Sequence, residues 1–175
     1  MLFRSDTVYA SLAGEDDRFL TMQVQQYVPG SNREKLLLPL CFCRECGQEF
    51  YSVRRGLLAD DVVAYSKRDV SDQLDSDEGE AGYLYINTRT PWPSEDPAAL
   101  LRSLPESWLE DNKGKLQLRS ERKKNLPQRI VISELGIEGK GGLTAHFIRA
   151  PFLFCPTCGV AYDTRQKSDF GKLGT

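Results

Sequence analysis

Histidine is almost absent from this chain: His146 stands alone among 175 residues. One imidazole, with no second histidine and no carboxylate placed to orient it, makes neither a metal site nor a catalytic pair. His146 therefore reads as a strand residue partly packed under a sheet. An excess of charge of one sign is lacking too. The 23 lysines and arginines against 25 aspartates and glutamates leave a net charge of −2. No whole-molecule field then draws the chain to DNA or to an anionic membrane, and contact with nucleic acid needs a local basic patch. No apolar run approaches the ~18 residues of a membrane span. The start, Met1-Leu2-Phe3-Arg4-Ser5-Asp6, lacks the long apolar core and the small-residue cleavage site of a secretory signal. That points to the cytoplasm, where thiols stay reduced.

Familiar catalytic patterns are missing as well. The turn around Lys140 is rich in glycine but lacks the Gly-x-x-x-x-Gly-Lys-Ser/Thr arrangement that cradles phosphates. No serine–histidine or cysteine–histidine spacing suggests a nucleophile. The acids from Asp75 to Glu80 sit in a polar run with no shielded pocket, so paired-carboxylate chemistry has little support. What remains is an ordinary globular composition, 40% hydrophobic and 27% charged. The length suits a single module, residues 1–175, or a small core with a long insertion.

Two short stretches stand out against that background: Cys43-Arg44-Glu45-Cys46-Gly47 and Cys155-Pro156-Thr157-Cys158-Gly159. Each is a Cys-x-x-Cys pair followed by glycine, and each follows an apolar run. This is the form of a zinc knuckle, in which the backbone turns so that both sulfurs point inward and glycine takes the left-handed turn that follows. Together the knuckles offer four thiolates, Cys43, Cys46, Cys155 and Cys158, a complete tetrahedral shell for one Zn2+. With no coordination position open, such a zinc is structural. A thiol-redox pair is the competing reading, but those pairs sit where a strand enters a helix, and here polar residues and a new strand follow. The fifth cysteine, Cys41, lies two residues before Cys43 and shares its strand face. It reads as a small buried hydrophobe, with a spare thiol near the zinc as the alternative.

The expected fold is α+β and mostly antiparallel β: a split zinc ribbon, with halves at 36–56 and 147–164, interrupted by a β-rich insertion at 57–146. Strands are expected over Phe19–Val28, Lys35–Phe42, Glu49–Arg54, Asp61–Ser66, Gly82–Asn87, Lys115–Arg119, Gln128–Ser133, Leu143–Ile148 and Val160–Tyr162. Within the insertion, 69–80 is an acidic surface loop and 96–110 a helical segment. That segment has Asp96 as N-cap and Pro97 at the first helical position. A further helix is expected to begin within Arg165–Leu173. Trp92 and Trp108 flank the helical segment and pack on it. Tyr83 and Tyr85 share one strand face, as core residues or as stacking faces for bases. The most basic stretch, with Arg119, Arg122, Lys123, Lys124 and nearby Arg129, is a solvated loop or a contact for nucleic-acid phosphates.

Leu38 to Tyr51, reading Leu-Pro-Leu-Cys-Phe-Cys-Arg-Glu-Cys-Gly-Gln-Glu-Phe-Tyr, resembles a region of large bacterial DEAD/DEAH-box helicases of superfamily 2, relatives of those in phage-defence systems. Asp6 to Leu12 looks like the junction after the second RecA-like domain of such a chain. Phe154 to Asp163, with Ser168 to Leu173, looks like the return to the helicase body. The resemblance implies an interior piece of a longer protein. ATP binding and strand translocation would belong to parts not seen here, because the Walker A lysine, the Asp-Glu-x-His/Asp box and an arginine finger in context are all missing. Implied partners are the RecA-like motor domains and DNA. A stand-alone zinc-ribbon module that binds another protein is the second expectation.

Overall fold

A computed structural model describes residues 7–74, 76–166 and 168–175. Met1 to Asp6, the start that lacks a secretory signal and whose last residue opens the resembling stretch Asp6–Leu12, lies outside the described residues, as do Asp75 and Lys167. Among the described residues the fold is mostly antiparallel sheet with little helix, as the alternating patterns require. The strands before the first knuckle are β1 (Tyr9–Ser11), β2 (Leu20–Thr21) and β3 (Leu37–Cys43); β4 (Glu49–Leu57), β5 (Val63–Lys67) and β6 (Glu80–Tyr85) follow it. A short helix, α1 (Pro97–Ser103), leads to the hairpin β7 (Leu109–Asn112) and β8 (Lys115–Leu118). The chain ends in β9 (Gln128–Ile132), β10 (Leu143–Arg149) and β11 (Leu173–Gly174).

The main sheet runs β2-β1-β3-β4-β6-β10-β9, with β5 also on β4 and β11 also on β3. Its far edge curls back. Ile132 bridges Glu138 and Ile137 bridges Ala64, so β9 is joined through this turn to β5 and thence to β4. Backbone hydrogen bonds from Gly139 to Val131, from Glu138 to Val63 and from Tyr65 to Gly136, of 2.8 to 2.9 Å, close the ring. The result is a small barrel.

Period-2 alternation sorts each strand between two cores. Leu38, Leu40, Tyr51, Val53, Leu84, Ile132 and Phe147 fill the barrel. Cys41, Cys43, Phe50, Tyr83, Tyr85 and Ile148 face the other way, into a second core with Trp92, Trp108, Phe152 and Phe154. β3 reads as an unbroken apolar run because both its faces are buried. Gly82 on β6 is needed for packing: a Cβ there would run into the Phe147 ring and lie 2.6 Å from the Ile148 carbonyl oxygen.

α1 forms where its caps place it. Asp96 accepts from the backbone N–H groups of Ala98 and Ala99 at 3.1 and 3.0 Å, and Pro97 takes the first turn. Trp108 and Trp92 pack edge-on against Phe154 next to the second knuckle.

Three expectations need correction. Of Phe19–Val28, only Leu20–Thr21 is strand, on the three-residue β1, and Tyr27 adds a lone bridge to Leu36; Met22 and Val24 between them are exposed. Val160–Tyr162 makes only the single bridge Phe154↔Ala161. The described part of Arg165–Leu173 is not helical: Asp169 and Lys172 turn inward and Leu173 pairs with Cys43. The acidic loop is also more tethered than its composition suggests. Val70 is buried in the second core, and Arg54 donates to the Gln73 carbonyl at 2.9 Å.

Candidate metal centre

The two knuckles fold alike, bond for bond. In the first, Cys43 N–H donates to the Gln48 carbonyl at 2.9 Å and Gly47 N–H to the Cys43 carbonyl at 2.8 Å. In the second, Cys155 N–H donates to the Val160 carbonyl at 2.9 Å and Gly159 N–H to the Cys155 carbonyl at 2.9 Å. Gly47 and Gly159 take φ of 78° and 76°, the left-handed geometry that a side chain disfavours. The amides two and three residues after the first cysteine turn toward its sulfur: Glu45 and Cys46 toward Cys43, Thr157 and Cys158 toward Cys155. Burial pushes the Cys43 thiol up, but those two amides and the neighbouring thiols bring it below the usual range. Deeper burial holds Cys155 well above it.

The barrel strands bring the knuckles face to face. β4 leaves the first knuckle, β6 pairs with β4, and β10 pairs with β6 before running into the second. All four sulfurs lie within 4.8 Å of one another. Cys43 Sγ is 3.8 Å from Cys158 Sγ, and Cys46 Sγ is 3.8 Å from Cys155 Sγ. A zinc–sulfur bond of about 2.3 Å gives tetrahedral edges of about 3.8 Å, whereas a disulfide closes to about 2.05 Å. The donor set and its spacing therefore fit one metal ion of zinc's kind. Cys43, Cys46, Cys155 and Cys158 would hold it, with Cys43 and Cys155 buried and Cys46 and Cys158 at the surface. Thr157 adds a clamp between the halves, its hydroxyl donating to Gln48 Oε1 at 2.9 Å.

Cys41 is not part of the cluster. It is fully buried and its S–H points to the Phe50 carbonyl at 3.6 Å. Tyr83 and Tyr85 are core residues, 0% and 2% exposed, with no face left for bases. His146 is buried as expected, but it meets a partner the spacing did not suggest: Ser94 Oγ lies 2.8 Å from its Nε2. Burial and the Arg129 guanidinium push the imidazole down to about 4, which makes it a weak base, and no carboxylate bonds to it among the described residues. The Ser94 bond fastens the loop before α1 to β10.

The basic stretch does not act as one patch. Arg119 donates to the Leu109 carbonyl at 3.2 Å, Arg122 lies 5.3 Å over the Trp108 ring, and Arg129 pairs loosely with Glu95 at 3.9 Å. Lys123 and Lys124 stay exposed.

Sequence reasoning missed a buried polar cluster behind the metal centre. Asp169 accepts from Tyr83 Oη at 2.6 Å, from Phe152 N–H at 2.9 Å and from Lys172 Nζ at 3.1 Å. Lys172 Nζ also reaches the carbonyls of Phe152 and Gln166. No local pattern marks Asp169, whose partners Tyr83 and Phe152 lie 86 and 17 residues away. Compared with known proteins, the chain matches no family model, no curated protein and no solved structure.

Proposed function

We propose that this chain is a structural zinc module that braces a larger machine and performs no catalysis itself. The observation that carries the reading is the closed four-thiolate cluster, whose 3.8 Å sulfur separations suit tetrahedral zinc. A four-sulfur shell leaves no position for water or substrate, so the ion's work is to hold the two halves of the chain together. The larger machine we have in mind is an ATP-dependent DNA helicase of superfamily 2. The support is the sequence resemblance around both knuckles, and the RecA-like motor domains and DNA are the partners it implies.

Metal analysis of purified protein tests the zinc: a ratio of about one per chain is expected, and metal-free protein with rapid thiol–disulfide exchange would reverse the reading. The coding sequence on either side tests the helicase: motor motifs upstream support it, and a separate gene with its own start signals counts against it. A stand-alone protein-binding module is the second reading. It is favoured by the exposed apolar run Phe19, Leu20, Met22 and Val24, between 41% and 76% exposed. Motor motifs found in the same frame would remove it.

A further inference from the structure

The committed cations of the basic stretch leave one concave site. Lys123 and Lys124, on the 3-10 turn Ser120–Asn125, border a cleft of about 320 Å³ with Arg149 at the end of β10. The rest of its wall is Leu126, Pro127, Gln128 and Phe147, with Pro127 and Phe147 themselves buried. No carboxylate lines it. The acids around it lie outside the lining: Glu80 pairs with Arg149, Glu138 with Arg55 at 3.5 Å, and Glu121 is exposed on the turn that carries the lysines. Glu80, Arg149, Glu138 and Arg55 cancel, and Glu121, Arg122, Lys123 and Lys124 of the turn leave two positive charges. Neither lysine pairs with an aspartate or glutamate among the described residues. Arg122 stacked on Trp108 pins the turn that carries them.

We propose that this cleft binds the backbone of a single-stranded polynucleotide. A phosphate group sits between Lys123, Lys124 and Arg149, and a sugar with its base rests against the half-buried Leu126. The cationic rim supplies the charge match, and the apolar wall favours an unpaired strand, whose sugar and base faces are free. This assignment rests on the reading that the module works beside nucleic acid, and it narrows the basic stretch to two of its members plus Arg149.

Fluorescence anisotropy with a labelled oligothymidylate of about a dozen nucleotides tests it on the full chain. The pair K123A/K124A should bind about tenfold more weakly at low salt, with a log–log salt slope shallower by about 1.4, or about 0.7 for each phosphate charge no longer neutralised. The control pair K113A/K115A, at the tip of the β7–β8 hairpin, should bind like the parent protein. The site is overturned if the parent protein binds no oligonucleotide at low salt, if K123A/K124A binds equally well, or if the control pair is weakened as much. Tighter binding of a duplex, or displacement by low-millimolar inorganic phosphate, would overturn the single-strand assignment. Zinc content measured on the same samples separates these results from any failure of the metal reading.

Discussion

Cys41 and Cys43 sit two residues apart on β3 and share a face, yet only Cys43 joins the sulfur cluster. The difference lies in the turn, which carries Cys43 with Cys46 toward the second knuckle and leaves Cys41 against the Phe50 carbonyl. Cys155→Ser should therefore lose the metal and several kcal/mol of stability, since structural zinc contributes of order 10 kcal/mol. Cys41→Ala should keep about one zinc and cost about 1 kcal/mol. Metal content and urea unfolding of the two variants check both halves of that statement. His146 makes a pH prediction. Its folded imidazole titrates near 4, against about 6.5 in an unfolded chain. The unfolded state then binds the extra proton first as pH falls. Stability contributed by neutral His146 is full above about pH 6.5 and is lost toward pH 4, by roughly 2–3 kcal/mol. His146→Gln, which can still bond Ser94, should flatten that part of the wild-type stability curve. Parallel curves for the two proteins would contradict the assignment.

Among the elements, the strands bounded by strong turns were the legible part. β3, β4, β6, β9 and β10 lie within a few residues of the positions their alternation indicated, and α1 sits where Asp96 and Pro97 put it. Patterns with too short a partner failed. Phe19–Val28 alternates well but finds only the three residues of β1 and a lone bridge from Tyr27 to Leu36. The tail failed for a different reason: helical tendency near Arg165 is outweighed by Asp169, whose carboxylate bonds Tyr83, 86 residues away. No window of sequence contains both residues. The tail strand β11 should depend on that carboxylate. Asp169→Asn removes the counter-charge of buried Lys172 and should cost about 3–5 kcal/mol. Adding Lys172→Met should restore part of that stability. Equal urea midpoints for Asp169→Asn and the parent protein would show that the cluster does not hold the tail.

In the whole molecule, the doubled Cys-x-x-Cys-Gly announced the four-cysteine cluster from sequence alone, because its chemistry is local to each knuckle. The barrel that joins the knuckles was not legible. Its closure depends on single bridges at Ile137 and Glu138, too short to leave a periodic signature. Sequence spacing made 57–146 look like an insertion hung between two ribbon halves. Instead β5, β6, β9 and β10 share one sheet with β3 and β4, so the apparent insertion is most of the scaffold. A metal held by the four cysteines would clasp a structure already continuous through β4, β6 and β10, and its removal should loosen both knuckles and the tail together. Hydrogen exchange before and after chelation, followed amide by amide, tests this most directly. The account predicts that protection falls in concert at Cys43–Gln48, at Phe152–Tyr162 and at Leu173, and returns when zinc is restored. Unchanged protection in the metal-free protein, or a fall at one knuckle alone, would contradict it.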